Sequence, residues 1–133
     1  MLNSVKLRDH MLVNPVCINS KANLFEAVKL ITDNKISGLC VVDDDNTLLG
    51  ILSELDCLSA ILSVTYNEGA VGTVSEYMTG EKLVIASTSD NIVELAQQML
   101  RQKHRRLPVV EDGKLVGQIT CRQLLIAVKN FKS

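Results

Sequence analysis

The 133-residue chain has no tryptophan, and only two tyrosines and two phenylalanines. Its core must therefore be built from Val, Ile, Leu and Ala, which can pack densely without large rings. No C-x-x-C pair occurs among Cys17, Cys40, Cys57 and Cys121, and no histidine stands at zinc-ligand spacing from them. A metal site is not expected. Each cysteine lies in or beside an apolar stretch, where it acts as a small hydrophobe. No apolar run approaches the about 18 residues that a membrane-spanning helix needs. Lys6, Arg8 and Asp9 interrupt the first residues, so no signal peptide is expected. A reducing cytoplasm is the expected setting. Nor is there a large charge of either sign. The formal net charge is −1, so neither nucleic acid nor a membrane surface is an expected partner.

What is present is repetition. The chain gives nearly the same message twice, some 67 residues apart, and both copies reach the pattern Gly-x-x-[Ser/Thr]-x-x-[Asp/Gln]. The first reads Gly50-Ile51-Leu52-Ser53-Glu54-Leu55-Asp56. The second reads Gly117-Gln118-Ile119-Thr120-Cys121-Arg122-Gln123. Internal repeats decide a fold before any local reading does. Each half is too small to bury its apolar faces well by itself, so two halves sharing a core are expected. The halves differ in charge. Residues 1–68 carry five Lys/Arg against nine Asp/Glu (−4), and residues 69–133 carry nine against six (+3).

The copies align along their length. Leu7-Arg8-Asp9-His10-Met11 and Val74-Ser75-Glu76-Tyr77-Met78 both read apolar, x, acid, x, Met. Short apolar strands are expected at 16–18 and 83–86. Helices are expected to begin at Asn23 and Asn91, each with Glu three residues on, close to a capping box. Their apolar positions have helical period: Leu24, Ala27, Val28 and Ile31, then Ile92, Leu95, Ala96 and Met99. Strands follow at 39–43 and 107–111, and return strands at 48–52 and 115–119. Asp112-Gly113 favours a two-residue hairpin turn. Final helices are expected from about Glu54 and Cys121. Each unit thus reads β-α-β-β-α. Residues 5–62 form the first repeat, 63–73 a linker marked by Asn67, Gly69 and Gly72, and 74–130 the second repeat.

The doubled, ordered set of features, with Leu107-Pro108-Val109-Val110-Glu111-Asp112-Gly113 and the Gly-x-x-[Ser/Thr]-x-x-Asp ending, resembles a tandem pair of cystathionine β-synthase (CBS) domains, a Bateman module. The resemblance covers roughly residues 5–128. It implies an α+β fold with α/β-type repeats, in which two β-α-β-β-α units pack about a pseudo-twofold axis. It also implies clefts between the repeats that hold AMP, ADP, ATP or S-adenosylmethionine, with no cofactor required. Assembly into a homodimer and regulation of another protein, as a stand-alone module, are further implications.

The resemblance also points to site residues. Ser53 and Asp56 open a helix. A carboxylate there suits the helix dipole and is equally placed to accept both ribose hydroxyls. Thr120 keeps the Ser53 role, but Gln123 stands where the second copy would have Asp. A neutral amide cannot accept two hydroxyls as a carboxylate does. One good site is therefore expected rather than two. Arg105 and Arg106, ending a basic run, are placed for phosphate, with Arg122 a weaker candidate; the competing reading is a solvated helix cap. Ser37 and Gly38 occupy the matching place in the first copy, where Gly38 would let a ligand ring approach the backbone. Ile18, Leu39 and Ile85 are candidate walls for adenine, or simply core. Cys40 restores a backbone amide where the second copy has Pro108.

No nucleophile, base or paired carboxylates can be argued, so an enzyme is not expected. Basic residues without aromatic interleaving do not favour nucleic acid. The leading expectation is a regulatory module sensing an adenine nucleotide. The alternative is a dimeric interaction scaffold with one or both clefts unoccupied.

Overall fold

The computed structural model describes residues 4–67 and 69–132, and all statements of absence below concern those residues. They form two compact units: Val16–Leu83, and residues 4–15 together with 84–132.

The Val16–Leu83 unit runs β2 (Cys17–Asn19), α1 (Leu24–Asn34), β3 (Gly38–Val42), β4 (Leu48–Ser53) and α2 (Glu54–Asn67), then a 3-10 turn at Val74–Glu76. Its sheet has the order β2-β3-β4, with β2/β3 parallel and β3/β4 antiparallel. In the other unit a 3-10 turn at Leu7–Asp9 leads into β1 (Leu12–Val13). That unit continues with α3 (Ile92–Gln102), β5 (Arg106–Glu111), β6 (Lys114–Thr120) and α4 (Cys121–Lys132). Its sheet has the order β1-β6-β5, all antiparallel. The mixed α+β architecture, repeated once, is the one expected.

The elements form for local reasons. Asn23 Oδ1 accepts the Phe25 amide at 2.8 Å, and Asn91 Oδ1 accepts those of Val93 and Glu94. Both helices end on a left-handed lysine, Lys35 and Lys103. Leu24, Ala27 and Ile31 bury the inner face of α1, as Ile92, Leu95 and Met99 bury that of α3. The glutamates expected to complete these caps do not reach back. Instead the Leu24 amide donates to Gly72 O at 3.0 Å and the Ile92 amide to Val5 O at 2.8 Å. A neighbouring backbone segment supplies the acceptor that closes each helix start.

That segment is exchanged between repeats. Leu7, fully buried, packs with Ala86, Ile92, Leu95, Met99, Leu107, Val109 and Ile119. Val74, its counterpart, packs with Leu24, Leu39, Leu52 and their neighbours. Each repeat's opening turn thus joins the core built by the other repeat's sheet and helices. Gly50 and Gly117 make the approach possible. A Cβ on Gly50 would lie 2.7 Å from Thr79 O and 2.8 Å from Met78 Sδ. On Gly117 it would lie 2.7 Å from Leu12 O and 2.9 Å from Met11 Sδ.

Two local differences separate the copies. The expected strand at 83–86 reduces to a single parallel bridge, Ala86 with Val109, while its counterpart β2 is a strand. The next rung would need an N–H from residue 108, which is proline and has none; Cys40 supplies one in the first copy. The turns differ as well. Asp112 and Gly113 both have positive φ, 51° and 80°, as a type I′ hairpin requires. The linker expected at 63–73 begins inside α2, which runs on to Asn67; residue 68 lies outside the described residues.

Candidate strand-to-helix junction sites

Both Gly-x-x-[Ser/Thr]-x-x-[Asp/Gln] motifs fold into the same device. Strand β4 ends at Ser53 and α2 begins at once. The Ser53 amide donates to Asp56 Oδ2 at 2.9 Å, and the Asp56 amide donates to Ser53 Oγ at 3.0 Å. At the β6–α4 junction the Thr120 amide donates to Gln123 Oε1 at 2.8 Å, and the Gln123 amide to Thr120 Oγ1 at 3.2 Å. These are reciprocal caps, each satisfying a helix amide with a hydroxyl and a strand amide with the third residue's side chain. Glutamine serves this purpose as well as aspartate. It differs only in what its remaining atoms offer a ligand, one N–H2 in place of a second anionic oxygen.

Register brings further expected residues to each junction. Gly38 lies opposite Ser53 in the β3/β4 pair, and the Glu54 amide donates to Ser37 O at 2.9 Å. Ser37, Gly38, Ser53 and Asp56 therefore meet at one end of a sheet. In the other unit Arg106 lies opposite Thr120, and the Cys121 amide donates to Arg105 O at 3.0 Å. Arg105, Arg106, Thr120 and Gln123 gather there, with Arg122 on the first turn of α4. Arg105 and Arg122 are exposed; Arg106, Ser53, Asp56, Thr120 and Gln123 are half-buried. Two of the first three amides of each helix are already bonded, so side chains rather than helix N–H groups must supply most of the contacts to an anion.

Three residues have a firmer structural explanation. Ile18 and Leu39 lie in the core with Val41 and Leu52. Ile18 pairs with Val41, three residues along β3 from Gly38. A Cβ on Gly38 would come within 3.1 Å of Leu52 O, so glycine is favoured there by the approach of β4. A surface depression of about 300 Å³ lies elsewhere, along α3, lined by Asp90, Asn91, Glu94, Leu95, Gln98 and Arg101. It contains none of the expected site residues.

At the β5–β6 hairpin one carboxylate is strongly held. Glu111 Oε1 accepts from Thr88 Oγ1, from the Thr88 amide at 2.8 Å and from Ser87 Oγ at 2.9 Å. These bonds, the Thr88 hydroxyl's first, hold the Glu111 carboxyl below its ordinary range. Its counterpart Asp43 caps its own turn through the Asp45 and Thr47 amides.

Comparison with known proteins decides the family. The CBS domain model matches residues 7–63 and again 74–130. The chain belongs to the CBS domain family. It is 30% identical over 86% of its length to an uncharacterized protein of Methanocaldococcus jannaschii, covering 39% of that protein. It is 33% identical over 90% of its length to the inosine-5′-monophosphate dehydrogenase of Aquifex aeolicus, covering 24% of it. The chain thus spans well under half the length of both. Among solved structures, CBSX2 of Arabidopsis thaliana in complex with AMP superimposes with a TM-score of 0.84 at 30% identity. That match covers 98% of this chain and 100% of the other. No helix among the described residues is long and apolar enough to cross a membrane.

Proposed function

We propose that this CBS pair is a regulatory module that binds an adenine nucleotide, with Asp56 at the β4–α2 junction as its ribose acceptor. The observation that carries the reading is the Ser53–Asp56 cap. It spends Oδ2 on the Ser53 amide, while Oδ1 has no hydrogen bond among the described residues. A fixed carboxylate with a spare oxygen is suited to a vicinal diol. The AMP complex of CBSX2, alike over its whole length, supports the ligand class. Gln123 fills the same cap without a carboxylate; at the β6–α4 junction Arg105, Arg106 and Arg122 are the groups suited to a phosphate. Ligand control of a partner would follow from different affinity for two arrangements of the module.

A stripe on α2 supports self-association. Leu55, Leu58, Leu62 and Tyr66 recur at helical spacing and are 74%, 55%, 50% and 85% exposed. A contiguous apolar face of this kind marks an interaction surface.

The test is thermal unfolding with AMP, ADP and ATP. A ligand at one hundred times its dissociation constant adds about 2.7 kcal/mol to stability, several degrees for a domain of this size. Release of material absorbing near 260 nm from the denatured pure protein would agree. No shift with any of the three nucleotides would refute the reading.

A further inference from the structure

Cys17 and Cys40 stand directly opposite each other in the parallel β2/β3 pair. Adjacent strands lie about 4.8 Å apart, and partners at one level project to the same face. A disulfide needs Cα atoms roughly 4.4–6.8 Å apart, so the register alone satisfies that condition. The face is also defined. Ile18, Leu39 and Val41 enter the helix-covered core, and by alternation Cys17 and Cys40 point to the other side of the sheet. Cys57 is buried within that core, so it is not a competing partner. Cys121 lies in the other unit and is exposed. Cys40 is 4% exposed and Cys17 is half-buried, so Cys17 is the more accessible residue of the pair.

We propose that Cys17 and Cys40 are a redox modification site that closes a reversible disulfide when a peroxide oxidises it. In the first step the Cys17 sulfur takes the terminal oxygen of the peroxide, giving a sulfenic acid and water. In the second the Cys40 sulfur attacks the Cys17 sulfur. The S–O bond breaks, the oxygen leaves as a second water with the thiol proton, and the S–S bond forms. Two thiols thus lose two electrons to one peroxide. A dithiol reverses the reaction by exchange. In a reducing setting such a bond is transient and sensing rather than structural. It would lock β2 to β3, two residues along β3 from the Gly38–Ser53 pair. The inference does not depend on the nucleotide reading.

The test uses the full chain carrying Cys121→Ser, which removes the exposed thiol. The folded protein is treated with hydrogen peroxide, its remaining thiols are alkylated, and it is digested on the N-terminal side of aspartate. The aspartates at 9, 33, 43 and 56 place Cys17, Cys40 and Cys57 on separate peptides. The expected result is a Cys17–Cys40 linked peptide, two hydrogens lighter than the sum of its parts, that dithiothreitol separates. Adding Cys17→Ser should leave Cys40 fully alkylated. The same digest without Cys121→Ser shows the link independently of that substitution. Cys17 carried to sulfinic acid with Cys40 still alkylated would overturn the proposal. So would a link through Cys57, or no oxidation of either residue.

Discussion

Asp56 commits one carboxylate oxygen to the Ser53 amide and keeps the other, and this division separates its structural from its binding contribution. Asp56→Asn keeps an acceptor for the Ser53 amide and removes the charge. Its melting temperature without ligand should stay close to that of the parent, because the cap survives. Asp56→Ala loses the acceptor of the Ser53 amide, while its own amide still reaches Ser53 Oγ, and should cost about 1 kcal/mol, read by chemical denaturation. Glu111 contributes differently. Its carboxyl is held low by three hydroxyl and amide donors, so its stabilisation is present above the ordinary glutamate value and is lost as pH falls through the lowered one. Glu111→Gln should therefore lower the melting temperature at neutral pH. The curves of variant and parent should converge as pH falls from the ordinary glutamate range through the lowered value. A constant offset across that window would contradict the assignment.

At the scale of elements, the return strands are shaped by what crosses them. Gly50 and Gly117 open the doubled motif and lie within the expected return strands, but the sequence gives no reason for glycine there. In the fold they admit the Met78-Thr79 and Met11-Leu12 segments against β4 and β6. The obstacle to a side chain includes backbone oxygens, which yield less readily than a flexible side chain. Gly117→Ala should cost about 1–3 kcal/mol through overpacking, measured by urea denaturation. Gly69→Ala, where a Cβ meets nothing within 4 Å, serves as the neutral comparison. Caps, hairpins and helix faces were legible because each depends on residues within a few positions: Asn23, Asn91, Asp112-Gly113 and the 3.6-residue period. The shortened strand at Ala86 was legible only in part. Pro108 announces a missing donor, but which rung it removes depends on register.

For the whole molecule, the exchange of opening segments was not legible. The pattern apolar-x-acid-x-Met says that Leu7 and Val74 will be buried, but either sheet offers a similar apolar surface. Only the packed chain shows that Leu7 completes the core around Leu107 and Ile119. The junction residues were legible, since the doubled motif named Ser53, Asp56, Thr120 and Gln123 together; for Ile18 and Leu39 the sequence left adenine wall and core as alternatives, because short apolar strands look alike from either side, and the fold places both in the core. The exchange carries its own prediction. Leu7→Ala should cost about 2–5 kcal/mol. Its loss of amide protection in hydrogen exchange should concentrate in β5 and β6 and spare β3 and β4. Protection lost in β3 and β4 instead would show that the segment belongs to its own repeat. The central claim concerns ligand binding, and calorimetric titration of AMP, ADP and ATP into the parent and Asp56→Asn proteins tests it most directly. The account predicts that at least one nucleotide binds the parent and binds the variant tenfold or more weakly, with unliganded stability unchanged. Equal affinity in the two proteins, or heat from none of the three nucleotides, would contradict it.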